Sequence, residues 1–206
     1  MEDSALIVEP PPADPIARFR AVLAEAEAVD RTRLPEPTAF ALATVSAAGQ
    51  PSVRMLLLKD VDADGGFVFY TNFESRKGRE LLATRVAALC FHWQPLEKQV
   101  RVEGPVAPVA PVIADAYFAT RPRGSQLGAW ASDQSRPMES PDALERRLAT
   151  LARRFGDGPI PRPPHWSGFV LTPERIEFWR NQPSRLHERH LYEREGGRWS
   201  VRRLYP

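Results

Sequence analysis

The pattern of apolar and polar positions divides the chain into a helical opening, a β-rich middle, a helical interval and a β-rich tail. Ile16, Phe19, Val22, Leu23 and Ala26 recur at three- and four-residue spacing, the period of an amphipathic helix. Asp14-Pro15 ahead of them supplies an N-cap and a proline at the first helical position, so a helix is expected to about Val29. From Ala39 the texture turns to β: Ala39–Val45 is a strand and Ser46-Ala47-Ala48-Gly49-Gln50 a hairpin turn. A turn through Asp64-Gly65-Gly66 leads to a further strand, Phe67-Val68-Phe69-Tyr70-Thr71.

Between those turns lies Val53-Arg54-Met55-Leu56-Leu57-Leu58-Lys59-Asp60, where four consecutive apolar residues sit between two cations. A continuous apolar run bounded by turn signals predicts a strand buried on both faces. Side chains alternate along a strand, so positions 54 and 59 should face opposite ways. The two cations then serve two anions, serve one anion reached around a strand end, or are solvated strand-end charges.

Asn72-Phe73-Glu74-Ser75 precedes a short helix over Arg76–Ala83, with Ser75 or Asn72 as cap. Strands follow near 86–93 and 98–109, the second with Gln99, Arg101 and Glu103 on one face and Val100 and Val102 on the other. Pro111 opens a helix through Tyr117, closed by Arg121-Pro122, and 124–131 form a second short helix. Ser140-Pro141-Asp142 caps a third, striped by Leu144, Leu148, Leu151 and Phe155. The proline-rich 156–164 segment is a rigid connector to a tail of strands at 168–171, 175–179, 186–194 and 199–204, the last pair joined by a Gly196-Gly197 hairpin. Six to eight strands, mostly in hairpins, predict a mainly β fold: a barrel-like sheet with flanking helices.

Composition narrows the function. The chain has 206 residues, 43% hydrophobic and 26% charged, with a net charge of +2, which is a globular balance without a nucleic-acid footprint. A single cysteine, Cys90, inside an apolar run excludes an intrachain disulfide and a thiolate cluster. The acidic, proline-rich start is wrong for a secretory signal, and no apolar stretch approaches a membrane span, so a cytoplasmic protein is expected. Residues 1–13 read as a flexible Pro-rich arm.

Three constellations carry candidate chemistry. Ser75-Arg76-Lys77-Gly78 at a helix start offers backbone N–H groups, a favourable dipole and two cations, a natural phosphate site or else a solvated basic turn. No GxGxxG or GxxxxGK[ST] pattern is present. Tyr117 and Arg121 share a helical face and Ser125 can fold back to the same point, forming a second phosphate cage or a Tyr–Arg stacking pair. In Arg185-Leu186-His187-Glu188-Arg189, positions 185, 187 and 189 would share one strand face, which like charges tolerate only opposite an anion or carboxylate. Of the five tryptophans, Trp93, Trp130, Trp166 and Trp199 are expected in the core, while Trp179 sits close to the third constellation.

These segments carry a resemblance. RMLLLK (54–59), FVFYTNFESRKGREL (67–81), KQVRVEG (98–104), AYFATRPRGSQLGAWASDQS (116–135), RIEFW (175–179), RLHER (185–189) and the closing RRLYP resemble the pyridoxine (pyridoxamine) 5′-phosphate oxidases from about Asp14 to Pro206. The resemblance implies an FMN-binding split β-barrel, a single domain over 14–206 that works as a homodimer with the flavin at the subunit interface. It implies FMN contacts from Arg54, Met55, Leu56, Leu57, Leu58, Lys59, Tyr70, Thr71, Arg76, Lys77, Gln99, Gln134, Ser135, Trp179 and Arg189. The substrate phosphate would be held by Lys59, Tyr117, Arg121 and Ser125, with Arg185 and His187 against the pyridine ring as the catalytic pair.

The implied reaction oxidises the C4′ alcohol or amine of pyridoxine or pyridoxamine 5′-phosphate to the aldehyde, with O₂ as acceptor and H₂O₂ as product, without a metal, membrane or nucleic acid. Two departures stand out. Residues 1–13 contain no arginine or tyrosine, so the Arg-x-x-Tyr arm that covers substrate in many members is absent or made differently. The family's usual RLHDR is RLHER here, which keeps the charge. A phenazine-pathway oxidase on the same scaffold, or a flavin-binding protein without turnover, are the other expectations the residues allow.

Overall fold

The computed structural model describes residues 11–206. Helix α1 (Pro15–Glu27) forms as the spacing predicts, with the Asp14 carboxylate accepting from the Ile16 and Ala17 N–H groups. Its buried stripe, Phe19, Val22 and Ala26, packs on the sheet, where Phe19 meets Phe67 edge-on at 4.7 Å. The arm expected over 1–13 falls largely outside the described residues. Pro12, inside them, accepts a hydrogen bond from the Tyr192 hydroxyl at 2.7 Å.

Among the described residues ten antiparallel strands form one curled sheet, more than the six to eight expected. They are β1 (Ala39–Val45), β2 (Pro51–Leu57), β3 (Asp60–Val61), β4 (Phe67–Asn72), β5 (Val86–Trp93), β6 (Lys98–Pro108), β7 (Trp166–Leu171), β8 (Arg175–Arg180), β9 (Glu188–Glu195) and β10 (Arg198–Arg203). The main path runs β10-β9-β8-β6-β5-β1-β2, while β3-β4-β7 branches from β6. β6 makes this possible by changing partner: residues 98–103 pair with β8 and 106–108 with β7. The switch falls at Gly104, where a Cβ would sit 2.0 Å from the Thr172 carbonyl oxygen.

The other side of the curl closes at Leu58-Lys59. The Leu58 N–H still bonds the Thr38 carbonyl beside β1, while the Lys59 N–H already bonds Val68 of β4, at 2.8 and 2.9 Å. Inside the curl lies the aromatic core, with Phe40, Phe67, Phe69, Phe91, Phe169 and Trp93 almost fully buried.

The helices α2 (Arg76–Thr84), α3 (Pro111–Thr120), α4 (Arg123–Ala131) and α5 (Ala143–Phe155) flank the sheet. Asp142 precedes α5 without capping it by side chain; its carboxylate takes Ser140 Oγ and Arg146 instead, and Leu144 of the expected stripe stays 38% exposed. Among the described residues no helix is long and apolar enough to cross a membrane.

Three expectations need correcting. β2 is an edge strand bonded to β1 alone, not a strand buried on both faces: Val53 and Met55 are 68% and 65% exposed. Arg54 and Lys59 do not face opposite ways, because the strand ends at Leu57 and the bend at 58–59 resets the alternation. Arg185, His187 and Arg189 do not share a strand face either. Residues 183–185 form a 3₁₀ turn and β9 begins only at Glu188.

Gly104→Ala should lower stability by about 2–3 kcal/mol, because the Cβ meets backbone and cannot be relieved by a rotamer change. Urea unfolding of the variant against the parent protein measures it.

Candidate functional site

The site begins at the start of α2. Ser75 Oγ accepts from the Gly78 N–H at 3.1 Å and donates to the Asn72 carbonyl at 2.6 Å, the N-cap the sequence offered. At Gly78 the helix presses on the preceding loop; a Cβ would lie 2.4 Å from the Asn72 oxygen and 2.5 Å from that of Phe73. The first turn, with Arg76 and Lys77, is thereby fixed at the end of β4, where the helix dipole favours an anion.

A cavity of about 730 Å³ opens beside this turn. Its walls bring together Arg54, Met55, Leu56 and Leu57 from β2, Lys59 from the closing bend, Tyr70 and Thr71 from β4 and Lys77 from α2. Tyr117 comes from α3, Arg121 from the turn that follows it, Ser125 from the first turn of α4, and Gln134 from the loop beyond α4. The first two constellations therefore share one cavity. Leu58 is instead buried in the core, 4% exposed.

Arg76 and Ser135 do not line the cavity but adjoin Lys77 and Gln134, which do, and are joined by the Arg76 N–H donating to Ser135 Oγ at 3.2 Å. Beside them Lys77 Nζ donates to Gln134 Oε1 at 2.8 Å. The turn that carries Arg121 is held by Gln126, whose buried Nε2 donates to the Phe118 carbonyl at the end of α3.

Electrostatically the cavity is a set of cations short of an anion. Arg54, Lys59, Lys77 and Arg121 line it, and among the described residues no carboxylate does. Burial, and then the neighbouring charge of Arg54, pull the Lys77 ammonium down to about 8. Burial also lowers Arg121, whose Nη1 is buried with no hydrogen-bond partner. The Arg121 guanidinium lies over the Trp166 ring, 4.7 Å from its centroid. Tyr117 stacks on Tyr70 at 4.0 Å, and Tyr70 on Trp166 at 5.3 Å, making one aromatic wall.

Several contributors escaped the sequence analysis, Trp166 and Glu80 among them. Trp166, expected only as core, is a wall of the cavity. Glu80, buried one helical turn beyond Arg76, takes hydrogen bonds from Thr44, Ser52, Arg54 and Arg76. The four-residue Arg76–Glu80 spacing on a helix was a legible signal for that pair. Nothing local pointed to Thr44 or Ser52.

The third constellation lies elsewhere. Gln99 and Trp179 border a smaller cavity of about 250 Å³ against α1, and His187 lines another with the C-terminal residues 203–206. Arg189 is held by Glu177, with Nε and Nη2 at 2.9 and 3.1 Å from its two oxygens, and Nη1 donates to the Tyr205 carbonyl. His187 rests on Trp179, ring centroids 4.6 Å apart. Ser184 and Arg185 both adopt left-handed φ, +57° and +61°, a strained pair of non-glycine residues on an exposed turn. From β9 to β2 is five strand spacings, about 24 Å along the curved sheet.

Comparison with known proteins identifies the family. The family model for pyridoxamine 5′-phosphate oxidase matches residues 26–154, and that for the pyridoxine 5′-phosphate oxidase C-terminal dimerisation region matches 166–206. The pyridoxine/pyridoxamine 5′-phosphate oxidase of Rhodospirillum rubrum is 56% identical over 197 residues, 94% of this chain and 96% of that protein. The enzyme of the same name from Gluconobacter oxydans is 56% identical, with 94% and 95% covered.

Among solved structures, PhzG from Burkholderia lata 383, in complex with tetrahydrophenazine-1-carboxylic acid, superposes with a TM-score of 0.87 at 34% identity, covering 95% of this chain and 94% of that one. A pyridoxamine 5′-phosphate oxidase-related, FMN binding protein from Nostoc punctiforme shares the fold, with a TM-score of 0.71 at 20% identity over 91% of this chain and 97% of that one. On its matched models and relatives, and with the split barrel they share, the chain belongs to the pyridoxamine 5′-phosphate oxidase family.

Proposed function

We propose that this protein is an FMN-dependent oxidase that converts pyridoxine or pyridoxamine 5′-phosphate to pyridoxal 5′-phosphate, with O₂ as acceptor and H₂O₂ as product, in vitamin B6 metabolism. The observation that carries this reading is the single cavity lined by four cations and no acid, with a buried arginine N–H left without a partner. A buried charge without partners is expensive, so the place is made for an anion. The volume of about 730 Å³ lies within the range of roughly 300–1,000 Å³ usual for small-molecule sites.

The residues present fit FMN. The capped start of α2, with Arg76, Lys77 and the loop residues Gln134 and Ser135, suits its phosphate, with Arg54 behind them. The β2 segment Met55–Leu57, with Tyr70 and Thr71, supplies the wall along which the rest of the flavin would lie. When bound, FMN supplies the hydride acceptor and the route of electrons to O₂.

Tyr117, Arg121, Ser125 and Lys59 hold the substrate's phosphate at the other end, Arg121 offering the unpartnered Nη1 and its neighbours a phenol, a hydroxyl and an ammonium. Fixing that phosphate sets where the C4′ carbon sits, which is the orientation part of catalysis. Arg185 and His187 orient the pyridine ring and stabilise charge developing on it.

Within one chain these last two lie in the turn before β9, outside the cavity, as do Gln99 of β6, Trp179 of β8 and Arg189 of β9. We assign that second group to the partner subunit's side of a homodimeric site. The match of residues 166–206 to a dimerisation region supports this assignment. A lone cysteine suits a reducing, cytoplasmic setting.

The phenazine-type alternative draws on the likeness to PhzG, whose complexed ligand is a carboxylic acid without phosphate. The phosphate cage argues against it here. An H₂O₂ assay on the flavinated protein decides: turnover of pyridoxine and pyridoxamine 5′-phosphates far above the unphosphorylated vitamers is expected, and no turnover of either phosphate would sink the reading.

Arg121→Ala should raise KM for phosphorylated substrate by about tenfold to a hundredfold and leave FMN retention nearly unchanged, measured by kinetics and flavin absorbance. Lys77 must be protonated to hold an anion, and its folded value without ligand is about 8. FMN affinity should therefore hold below pH 8 and fall as pH rises through it, read by fluorescence titration from pH 6.5 to 9.5. Co-expressing Arg121→Ala with Arg185→Leu should restore activity to about a quarter of the wild-type sites, since mixed dimers carry one intact site of two. No restoration would place both residues in the same chain's site.

A further inference from the structure

Glu80 is 6% exposed, and it does not line the cavity. Its Oε2 accepts from Thr44 Oγ1 at 2.5 Å and Ser52 Oγ at 2.6 Å, and lies 3.4 Å from Arg54 Nη2. Each hydroxyl is used twice, because Arg54 Nη1 donates to Thr44 Oγ1 and Arg54 Nη2 to Ser52 Oγ. With Nη1 also donating to the Leu42 carbonyl at 3.3 Å, every terminal N–H of Arg54 is directed into protein, leaving the Nε–H and the charge for the cavity.

The other oxygen, Oε1, accepts from Arg76 Nε at 2.9 Å. That side-on contact leaves both terminal amino groups of Arg76 without a protein partner among the described residues, on a side chain 57% exposed. One buried carboxylate thus grips two arginines, Arg54 of β2 and Arg76 of the first constellation, and spares the Arg54 Nε–H and the Arg76 terminal amino groups for an anion. Burial alone would push the Glu80 carboxyl up, but the Ser52 and Thr44 hydroxyls and Arg76 outweigh it and hold it down to about 2. It is therefore a fixed negative charge at any working pH.

We infer that Glu80 is a positioning residue for the flavin phosphate: through the Thr44 and Ser52 hydroxyls it locks Arg54, and directly it aims Arg76, so that both meet the phosphate without rearrangement. This rests on the proposed FMN site. It deepens that reading by making a carboxylate, itself repelled by phosphate, a requirement for binding phosphate. Arg54, Arg76 and Lys77 bring three positive charges and Glu80 one negative, a balance of two that matches a phosphate dianion.

The sign of the effect separates this inference from simple electrostatics. Removing a negative charge beside an anion site should strengthen anion binding by Coulomb's law, whereas losing the positioning should weaken it. The experiment is flavin binding to the deflavinated full-length protein, followed by fluorescence quenching with FMN and with riboflavin, which lacks the phosphate.

Glu80→Gln should raise the Kd for FMN by roughly tenfold and change that for riboflavin by less than about twofold. An FMN Kd that is unchanged or lower, or an equal loss for both ligands, overturns the positioning role. Should Glu80→Gln not fold, Ser52→Ala decides instead, since it removes one relay and keeps the carboxylate: a loss confined to FMN supports the inference and no loss overturns it. Wild-type protein that binds riboflavin as tightly as FMN would overturn the proposed phosphate site itself, an outcome distinct from a failure of Glu80.

Discussion

The structure depends on keeping several like charges close together before any ligand is present. Arg54, Lys59, Lys77 and Arg121 open onto one cavity, and two unit charges a few ångströms apart at a protein surface repel by several kcal/mol. The repulsion is visible in Lys77, whose ammonium is weakened by burial and by Arg54. It is contained by dividing the cations among different devices. Arg54 is netted by two hydroxyls and Glu80, Arg121 lies on the Trp166 ring, and Lys77 leans on Gln134. Each device satisfies part of a cation and leaves part open.

The fold supplies the walls at fixed spacing because the barrel closes beside them. At Leu58-Lys59 the chain leaves β1 and bonds to β4, so Arg54 and Lys59 sit on either side of a seam that cannot slide without breaking both pairings. α2 is pinned to the far end of β4 by Gly78 against the 72–73 carbonyls. The aromatic wall Tyr117–Tyr70–Trp166 joins α3, β4 and β7, three segments distant in sequence. The rigidity of the core thereby reaches the cavity through covalent neighbours rather than through loops.

Elements with strong local signals were legible in the sequence. β1 appears with the predicted ends, and α1 and α2 appear with Asp14 and Ser75 capping them. Where the sequence misled, a distant partner decided. The apolar run at 55–58 reads as doubly buried, yet Val53 and Met55 project from an edge strand, since hydrophobicity does not say whether a surface is covered by the same chain or another. Alternation failed at Lys59 and at Arg185 for one reason: parity holds only while a strand is unbroken, and both lie where the chain turns. Glu80 and Trp166 were missed because their partners Thr44, Ser52 and Tyr70 are 28 to 96 positions away.

The separation of the third constellation has a thermodynamic consequence. Arg185, His187 and Trp179 lie strands away from the cavity, and Ser184-Arg185 holds a strained backbone on an exposed turn. Strain of this kind persists only where the surrounding structure over-determines it, and it clusters at functional sites. If the proposed site takes one wall from each chain, FMN touches both, and every contact it makes across the interface adds to association as well as to cofactor affinity. Linkage makes the two inseparable: what loosens the dimer loosens the flavin by the same factor, and the flavin in turn holds the dimer. On that reading the anion answers the cations crowded in one chain, and the second subunit supplies the wall that a single chain leaves open.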